Sequence, residues 1–356
     1  MGIKTSPTPP LSNPHICIIG SLNIDFVTST PRCPGPGETL TATALNVTAG
    51  GKGGNQAVAA GRASFLTPTS QDVSVSMIGA VGAEDPYYST LLKPCLEKSG
   101  VSTENIEEST DFQTGSASII VEEAAGGENR ILVVPGANHG GIMSDVAQIV
   151  GAVKAQEVSP SVIVLQGEIP RKTTLGLLEY FNGGVADDRG CVVFNPAPVF
   201  PEGISLEALR NTAVLIMNET EAVQMSRCIA GLSNADAAKL ESLQPEELAP
   251  RFHDVAGVQV VLITLGAKGV YFSTKSGRRG VVNGVRVPKV VDTTAAGDTF
   301  VGYFSTALAR FLATGAILEA FDNEIQGAVE KANAAAAKCV QRRGAMQSIP
   351  FSYDME

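Results

Sequence analysis

Asp298 closes the run Asp292-Thr293-Thr294-Ala295-Ala296-Gly297-Asp298, and Thr299-Phe300 follow it. Small residues in the middle predict a turn. Phe300, Phe304, Leu308 and Phe311 then recur at helical spacing. Val290 and Val291 before the turn read as a strand end. Strand, turn and helix in that order aim the backbone N–H groups of residues 295–298 at whatever lies over the helix N-terminus. Unsatisfied donors and the macrodipole make that position favour an anion. An acid there repels the same anion. Its place makes sense if Asp298 takes the proton from a hydroxyl that attacks a phosphoryl group. The plainer reading, an ordinary first-turn acid that complements the dipole, is the one spacing alone favours.

A second run, Gly50-Gly51-Lys52-Gly53-Gly54-Asn55-Gln56, leads into a small-residue helix over residues 57–62. It is no P-loop, because Gly53 stands where the Ser or Thr after the Lys belongs. Four glycines around Lys52 and Asn55 let a ligand approach the backbone closely, or form a flexible connection with a solvated lysine. Further polar groups follow apolar runs: Asn23 and Asp25 after residues 15–20, Gln166 and Glu168 after 162–165, then Asn195, then Asn218 and Glu221. Each alone suits a turn or a cap. Their recurrence suits the ligand edge of a parallel sheet. Residues 265–269 read as a tight turn, over which a nucleotide could pass.

The elements that must position these groups alternate. Apolar strands at 15–20, 74–81, 162–166, 191–195, 214–217 and 258–264 are separated by helices over 85–100 and from near Arg171, Ser205 and Glu219. That pattern predicts an α/β fold, a central mostly parallel sheet with helices on both faces. Residues 26–48 and 112–134 differ in texture and read as a small β lid, whose outward face could pair with a second copy. Residues 234–256 read as helical around a break at Gln244-Pro245. A last helix from Ile317 to about Val340 is expected to bury Ile317, Phe321, Ile325, Ala328 and Ala332. Residues 15–350 are expected to form one unit, between a flexible tail at 1–14 and a C-terminal tail at 351–356. The segment 64–73 reads as a polar insertion.

Composition narrows the function. The chain has 356 residues, 44% hydrophobic and 17% charged, with a net charge of −10. This excludes a basic nucleic-acid surface and requires local dipoles or a metal ion to hold an anionic ligand. Six cysteines without a Cys-x-x-Cys pair form neither a disulfide framework nor a zinc signature, and read as reduced thiols of a cytoplasmic protein; nuclear entry is left open. No run reaches the ~20 apolar residues of a membrane span. His15, His139 and His253, the three histidines, sit in no hydrolase or zinc constellation.

Seven motifs in order resemble the ribokinase-like (PfkB-type) carbohydrate kinase family. They are Gly20-Ser21-Leu22-Asn23-Ile24-Asp25, Pro36-Gly37-Glu38-Thr39, the run from Gly50 to Ala57, Asn195-Pro196-Ala197-Pro198, Asn218-Glu219-Thr220-Glu221, Leu262-Ile263-Thr264-Leu265-Gly266 and the run from Asp292 to Phe300. The Lys52 segment is similar to the ribose-phosphorylating branch, and unlike adenosine kinases or fructokinases. The resemblance implies a ribokinase-like fold and transfer of a phosphoryl group from ATP to O5 of D-ribose, with Mg²⁺ on the nucleotide. It implies that Asn23, Asp25, Gly51, Lys52, Gly53, Gly54, Asn55 and Glu168 hold the sugar. Asp298 would be the base, with Ala295, Ala296 and Gly297 as anion hole. Asn218, Thr264, Gly266, Ala267, Lys268, Gly269, Gly297 and Asn333 would hold the nucleotide, and Glu221 the Mg²⁺ through water. Asp292, Thr294, Cys339, Arg342, Gly344 and Ser348 would form a site for an activating K⁺. It also implies a homodimer through the lid. A deoxyribose kinase, or a silent sugar- or nucleotide-binding regulator on the same fold, are the alternatives; an intact Asp298 turn argues against silence.

Overall fold

His15–Ile19 (β1) is apolar toward both sides: Ile16 and Ile18 enter one core cluster, Cys17 and Ile19 the other. A strand that buries both faces needs a continuous apolar run and a layer of helices on each side. The computed structural model describes residues 14–124, 128–183, 190–228 and 242–355. After β1 come β2 (Asn23–Thr30), β3 (Ala44–Gly50), α1 (Lys52–Ser64), β4 (Phe65–Thr67), β5 (Ser70–Gln71), β6 (Ser74–Gly82) and α2 (Lys93–Lys98). Then follow β7 (Val101–Ser109), β8 (Gly115–Glu122), β9 (Glu128–Val134), α3 (Val146–Lys154), β10 (Val162–Leu165), α4 (Arg171–Asn182), β11 (Cys191–Phe194) and α5 (Leu206–Leu209). The C-terminal part holds β12 (Val214–Asn218), α6 (Glu219–Cys228), α7 (Pro245–Ala256), β13 (Val260–Thr264), β14 (Gly269–Thr274), β15 (Arg279–Asn283), α8 (Ala296–Leu312) and α9 (Ile325–Cys339).

Nine strands make one sheet in the order β15-β14-β13-β12-β11-β10-β1-β6-β7. It is parallel from β13 to β7, and only β14 and β15 run antiparallel. The expected mostly parallel sheet is therefore present. Helices α1, α8 and α9 cover one face, and α3, α4, α6 and α7 the other. Along α8, Phe300 and Phe304 stack at 6.2 Å and Phe304 meets Phe321 edge-on at 5.7 Å. That aromatic contact anchors the helix whose N-terminus carries Asp298.

Four strands, β3-β2-β8-β9, form a separate small sheet. Register fixes its faces. Asn23, Asp25, Ala117, Ile119, Ile131 and Val133 share one face with the pairs Asp25↔Ala117 and Ala117↔Val133; Leu45, Leu132 and Val134 share the other. Period-two alternation on β2 thus brings Asn23 and Asp25 to one side.

Several local expectations are corrected. Val290 and Val291 belong to no strand and are exposed, because the amides of Val291 and Asp292 bond Val340 O at the end of α9 instead of a sheet neighbour. Ile317 is 68% exposed: residues Leu318–Asn323 coil as a 3₁₀ turn, whose tighter period turns Ile317 outward, and the helix starts only at Ile325. Gly50 ends β3 and Gly51 caps α1, so the Gly-rich run from Lys52 onward is the first turn of that helix, not a loop before it. Gly53 makes that possible: a Cβ there would stand 2.6 Å from Gly20 C. The 64–73 insertion forms the β4–β5 hairpin, and 229–241, most of the region before α7, lies outside the described residues. Phe351 stacks on Tyr353 and meets Phe65 edge-on, so the C-terminal segment is packed against that hairpin.

Candidate active site

The C-terminal ends of the parallel strands, the inner face of the small sheet and the N-terminus of α8 enclose a cleft of about 420 Å³. Asn23, Asp25, Gly51, Lys52, Asn55, Glu168, Asn218, Glu221, Thr264, Thr294, Ala295, Gly297 and Asp298 all line it. Ala117, Ile119, Ile131 and Val133 supply an apolar roof from the small sheet. Residues more than 250 positions apart are gathered here by the sheet edge, where such folds bind ligands.

Asp298 is 6% exposed and accepts two amide donors, Asn55 Nδ2 at Oδ2 and Gln56 Nε2 at Oδ1, each at 2.9 Å. Each oxygen has two lone pairs, so one on each remains for a hydroxyl. Glu168 Oε2 accepts from Ser21 Oγ at 2.5 Å and from the Lys52 amide at 2.9 Å, which ties it to the start of α1. Asn138, buried in a 3₁₀ turn, donates to Asn23 Oδ1 at 2.8 Å and takes the Leu22 amide at 2.8 Å. Burial, and then the charges of Glu168 and Asp298, push the Asp25 carboxyl up to about 7. Asp298 in turn, with Glu168 and Glu221, holds the Lys52 ammonium above its ordinary value despite burial. Lys52 is the basic side chain lining this acid-rich cleft. Four acids around one cation suit a polyol, whose hydroxyls can donate to carboxylates and leave an oxygen for the lysine.

At the head of α8, Ala295 adopts φ 60° and ψ 8°, a left-handed conformation that costs a non-glycine residue about 1–2 kcal/mol. Such strain gathers at functional turns. The first α-helical bond is Thr299 N to Ala295 O at 2.8 Å, so the amides of Gly297 and Asp298 precede the ladder. The Ala296 amide points back to Thr293 O at 3.3 Å, and Ala296 does not line the cleft.

Asp292 braces this turn from behind. Its Oδ1 takes the Thr294 amide at 2.9 Å and the Thr294 hydroxyl at 2.6 Å, and its Oδ2 takes the Gly344 amide at 2.9 Å. Cys339 Sγ stands 3.0 Å from Ser348 Oγ and donates to Thr294 O at 3.6 Å, while the Arg342 amide bonds Cys339 O. The six residues named for a monovalent cation are thus one connected cluster, and its carboxylate, hydroxyl and carbonyl oxygens are donors that suit K⁺. Among the described residues no group of three His, Cys, Asp or Glu could hold a metal ion by itself. Mg²⁺ fits only as a guest of a nucleotide with protein contacts through water, the mode it favours. Glu221, raised by burial and lining the cleft, is a suitable carboxylate for that.

Asn218 and Glu221 cap α6 reciprocally: Asn218 N donates to Glu221 Oε2 and Glu221 N to Asn218 Oδ1, both at 2.8 Å. Thr264 ends β13 beside Asn218. Gly266, Ala267 and Lys268 form a 3₁₀ turn that Gly269 closes, outside the cleft lining, and Asn333 donates to Asn283 O at 2.9 Å. Gly53 and Gly54 are buried under the cleft floor. The polar partners Gln56 and Asn138 were not among the expected site residues; Gln56 stood in the motif from Gly50 to Ala57 without a role, and Asn138 had no signal.

A mainly parallel sheet with helices on both faces, a small separate sheet and an acid in a small-residue turn at a helix N-terminus define a ribokinase-like α/β fold. The chain belongs to the pfkB family of carbohydrate kinases, which residues 13–352 match. It is 35% identical over 346 residues to a ribokinase of Schizosaccharomyces pombe, covering 96% of each chain. It superposes on the structure of a ribokinase from Thermotoga maritima with a TM-score of 0.74 at 33% identity, over 96% of this chain and 97% of that one. A ribokinase from Cryptococcus neoformans in complex with ADP gives 0.70 at 28% identity, over 97% and 99%.

Proposed function

We propose that this protein transfers the γ-phosphoryl group of ATP to O5 of D-ribose. The observation that carries the reading is the pairing of Asp298, with one free lone pair on each oxygen, and the Gly297 and Asp298 amides at the head of α8, in one cleft with Asn23, Asp25, Lys52, Asn55 and Glu168. Asn23, Asp25, Asn55, Glu168 and the Gly51–Gly54 backbone hold the sugar with its 5-hydroxyl toward Asp298, which takes the proton. The helix N-terminus receives the charge of the transferring group, where catalysis of phosphoryl transfer mostly resides. Asn218, Thr264, the turn at residues 266–269 and Asn333 hold the nucleotide. Glu221 would hold Mg²⁺ through water, where the ion would supply charge to offset the nucleotide phosphates, and the Asp292–Ser348 cluster would hold K⁺ behind the anion-hole turn. We place residues 15–350 in one catalytic unit, working in the cytoplasm; no described helix is long and apolar enough to cross a membrane.

An ATP-to-ADP assay over ribose, deoxyribose, fructose and adenosine tests this. Ribose is expected to give the highest kcat/KM; turnover with none of the four favours a silent regulator, and a preference for deoxyribose revises the sugar alone. Replacing Na⁺ by K⁺ is expected to raise turnover severalfold, and a flat K⁺ titration removes the cation from the account. The small sheet also presents Leu132 and Val134, 72% and 60% exposed, on its edge strand β9, with Leu45 on the same face. Exposed edges with apolar faces invite pairing, so the protein is proposed to be a homodimer through this sheet, and light scattering giving one chain's mass refutes it.

A further inference from the structure

Behind Asp298 runs a buried line of side-chain amides that links three strands of the central sheet to α1. Asn195, at the end of β11, donates Nδ2 to Ile216 O of β12 at 2.9 Å. Its Oδ1 accepts from Gln56 Nε2 at 3.0 Å, and the same Nε2 donates to Asp298 Oδ1 at 2.9 Å. Gln56 Oε1 accepts from Gln166 Nε2 at 2.9 Å. Gln56, Gln166 and Asn195 are 0%, 1% and 8% exposed.

The two ends of an amide are told apart by their partners, and here the partners leave one choice. A peptide carbonyl can only accept, so Asn195 must turn its NH₂ to Ile216. Its oxygen then faces Gln56, which must answer with a nitrogen. That places both Gln56 protons, one on Asn195 and one on Asp298, and leaves Gln56 Oε1 toward Gln166, which must donate. Gln166 supports this polarity from the far end: its own Oε1 is buried over the backbone of Gly20 and has no hydrogen-bond partner among the described residues. A buried oxygen without a partner is unfavourable, so glutamine at this position is explained by its donor, not its acceptor.

We propose that Gln166 and Asn195 are positioning residues that act through Gln56: they fix the direction of its amide so that a donor, never an oxygen, faces the carboxylate of the base. This rests on the reading of Asp298 as base. Reversal of the relay would put Gln56 Oε1 against Asp298 Oδ1, where two acceptors repel, and would swing the carboxylate away from the sugar hydroxyl. Misplacement by about 1 Å costs on the order of 10²-fold in rate.

The test uses isosteric acids. In Gln166→Glu the new carboxyl can donate to Gln56 only while protonated; ionised, it forces the reversal. Asn195→Asp is the counterpart: ionised, it loses the donor to Ile216 O but still accepts from Gln56 Nε2, so the relay keeps its direction. The charged groups around Asp298, namely Asp25 on β2, Lys52 on α1, Glu168 after β10 and Glu221 on α6, are common to wild type and variant, so the ratio of their kcat values cancels them. The expected result is a roughly 10- to 100-fold loss at pH 8 that shrinks as the pH falls toward 5.5 in Gln166→Glu, and a much smaller loss in Asn195→Asp. Gln166→Met removes the donor together with the unpartnered oxygen. It is expected to unfold at the wild-type temperature and to lower kcat roughly fivefold, the worth of one neutral hydrogen bond, with KM for ribose unchanged. A pH-independent ratio in folded Gln166→Glu overturns the proposal, as does a loss in Asn195→Asp that equals it. Should Gln166→Glu not fold, wild-type kcat in Gln166→Met overturns it equally. Wild type inactive on every sugar refutes the kinase reading instead, before any variant is made.

Discussion

One wall of the cleft is built from side chains that hold one another across long stretches of sequence. Asn55 and Gln56 reach Asp298, Ser21 reaches Glu168, and Asn138 reaches Asn23. The other side, Asn218, Glu221 and Thr264 in the lining and the 266–269 turn beyond it, is built from local turns. Asn218 and Glu221 cap their own helix, Lys268 lies in a 3₁₀ turn, and Lys268 meets Glu219 at 3.8 Å with both side chains more than half exposed. The first wall is dry and its polar groups have fixed directions. The second is wet and its groups can turn to meet a ligand. A wall of the first kind can preorganise chemistry, because little reorganisation is needed at the moment of reaction. The second can bind and release. Changes on the first wall should therefore strike turnover, and changes on the second should strike nucleotide affinity or nothing.

The largest effect is expected at Asp298. Asp298→Asn keeps the shape and one of the two amide contacts but removes the proton acceptor, and kcat should fall by roughly 10²–10⁴ while ribose affinity changes little. Initial rates and calorimetry separate the two. Near-normal turnover would strip the dry wall of its chemical role and leave it a binding surface.

The next effect is one of pH. Asp25 is pushed up to about 7 by burial first and then by Glu168 and Asp298, whereas an unfolded chain holds aspartate near about 4. Between those values the folded protein keeps a proton that the unfolded chain has given up. Stability of the sugar-free protein should therefore fall as the pH rises from about 4 to about 7, and stay low above that. Ribose hydroxyls that donate to the ionised carboxylate offset the penalty. The rise in Tm that ribose causes should thus grow between pH 5.5 and 8, and Asp25→Asn should flatten it. A ribose shift that is constant across this range would show that Asp25 stays outside the sugar contacts.

The same contrast explains what was legible in the sequence. Central strands could be read because β1, β10 and β12 bury both faces and so are apolar throughout. The two strands at the rims of the sheet could not: Val101–Ser109 carries Glu104, Glu107 and Glu108, and Arg279–Asn283 is short and partly exposed. An edge strand pairs on one side only and can be polar, so its pattern is diluted. Val290 and Val291 misled in the opposite direction, since β-branched residues report propensity and not a neighbour to pair with. In the site, Gln56 and Asn195 stand inside contiguous motifs and Gln166 at a strand end, so their positions were visible, but their roles come from contacts that span 110 to 242 positions in sequence. No local pattern encodes the direction of an amide that a distant carbonyl decides.

The smallest effect sharpens the comparison from the other wall. The Lys268 and Glu219 side chains are 77% and 55% exposed, and an exposed pair of this kind contributes about 0–1 kcal/mol. Lys268→Ala should leave Tm within the error of measurement. A lysine that meets a nucleotide phosphate in water adds a modest charge contact, weakened by salt, so KM for ATP should rise by no more than roughly tenfold, which corresponds to about 1.4 kcal/mol. Turnover at saturating ATP should stay at the wild-type level, because nothing on this wall orients Asp298. The rise in KM should also shrink as ionic strength increases. If instead kcat collapses while KM holds, then the turn at residues 266–269 shapes the transition state and not just the encounter with nucleotide, and the division of labour between the two walls fails at the wall where it predicts least.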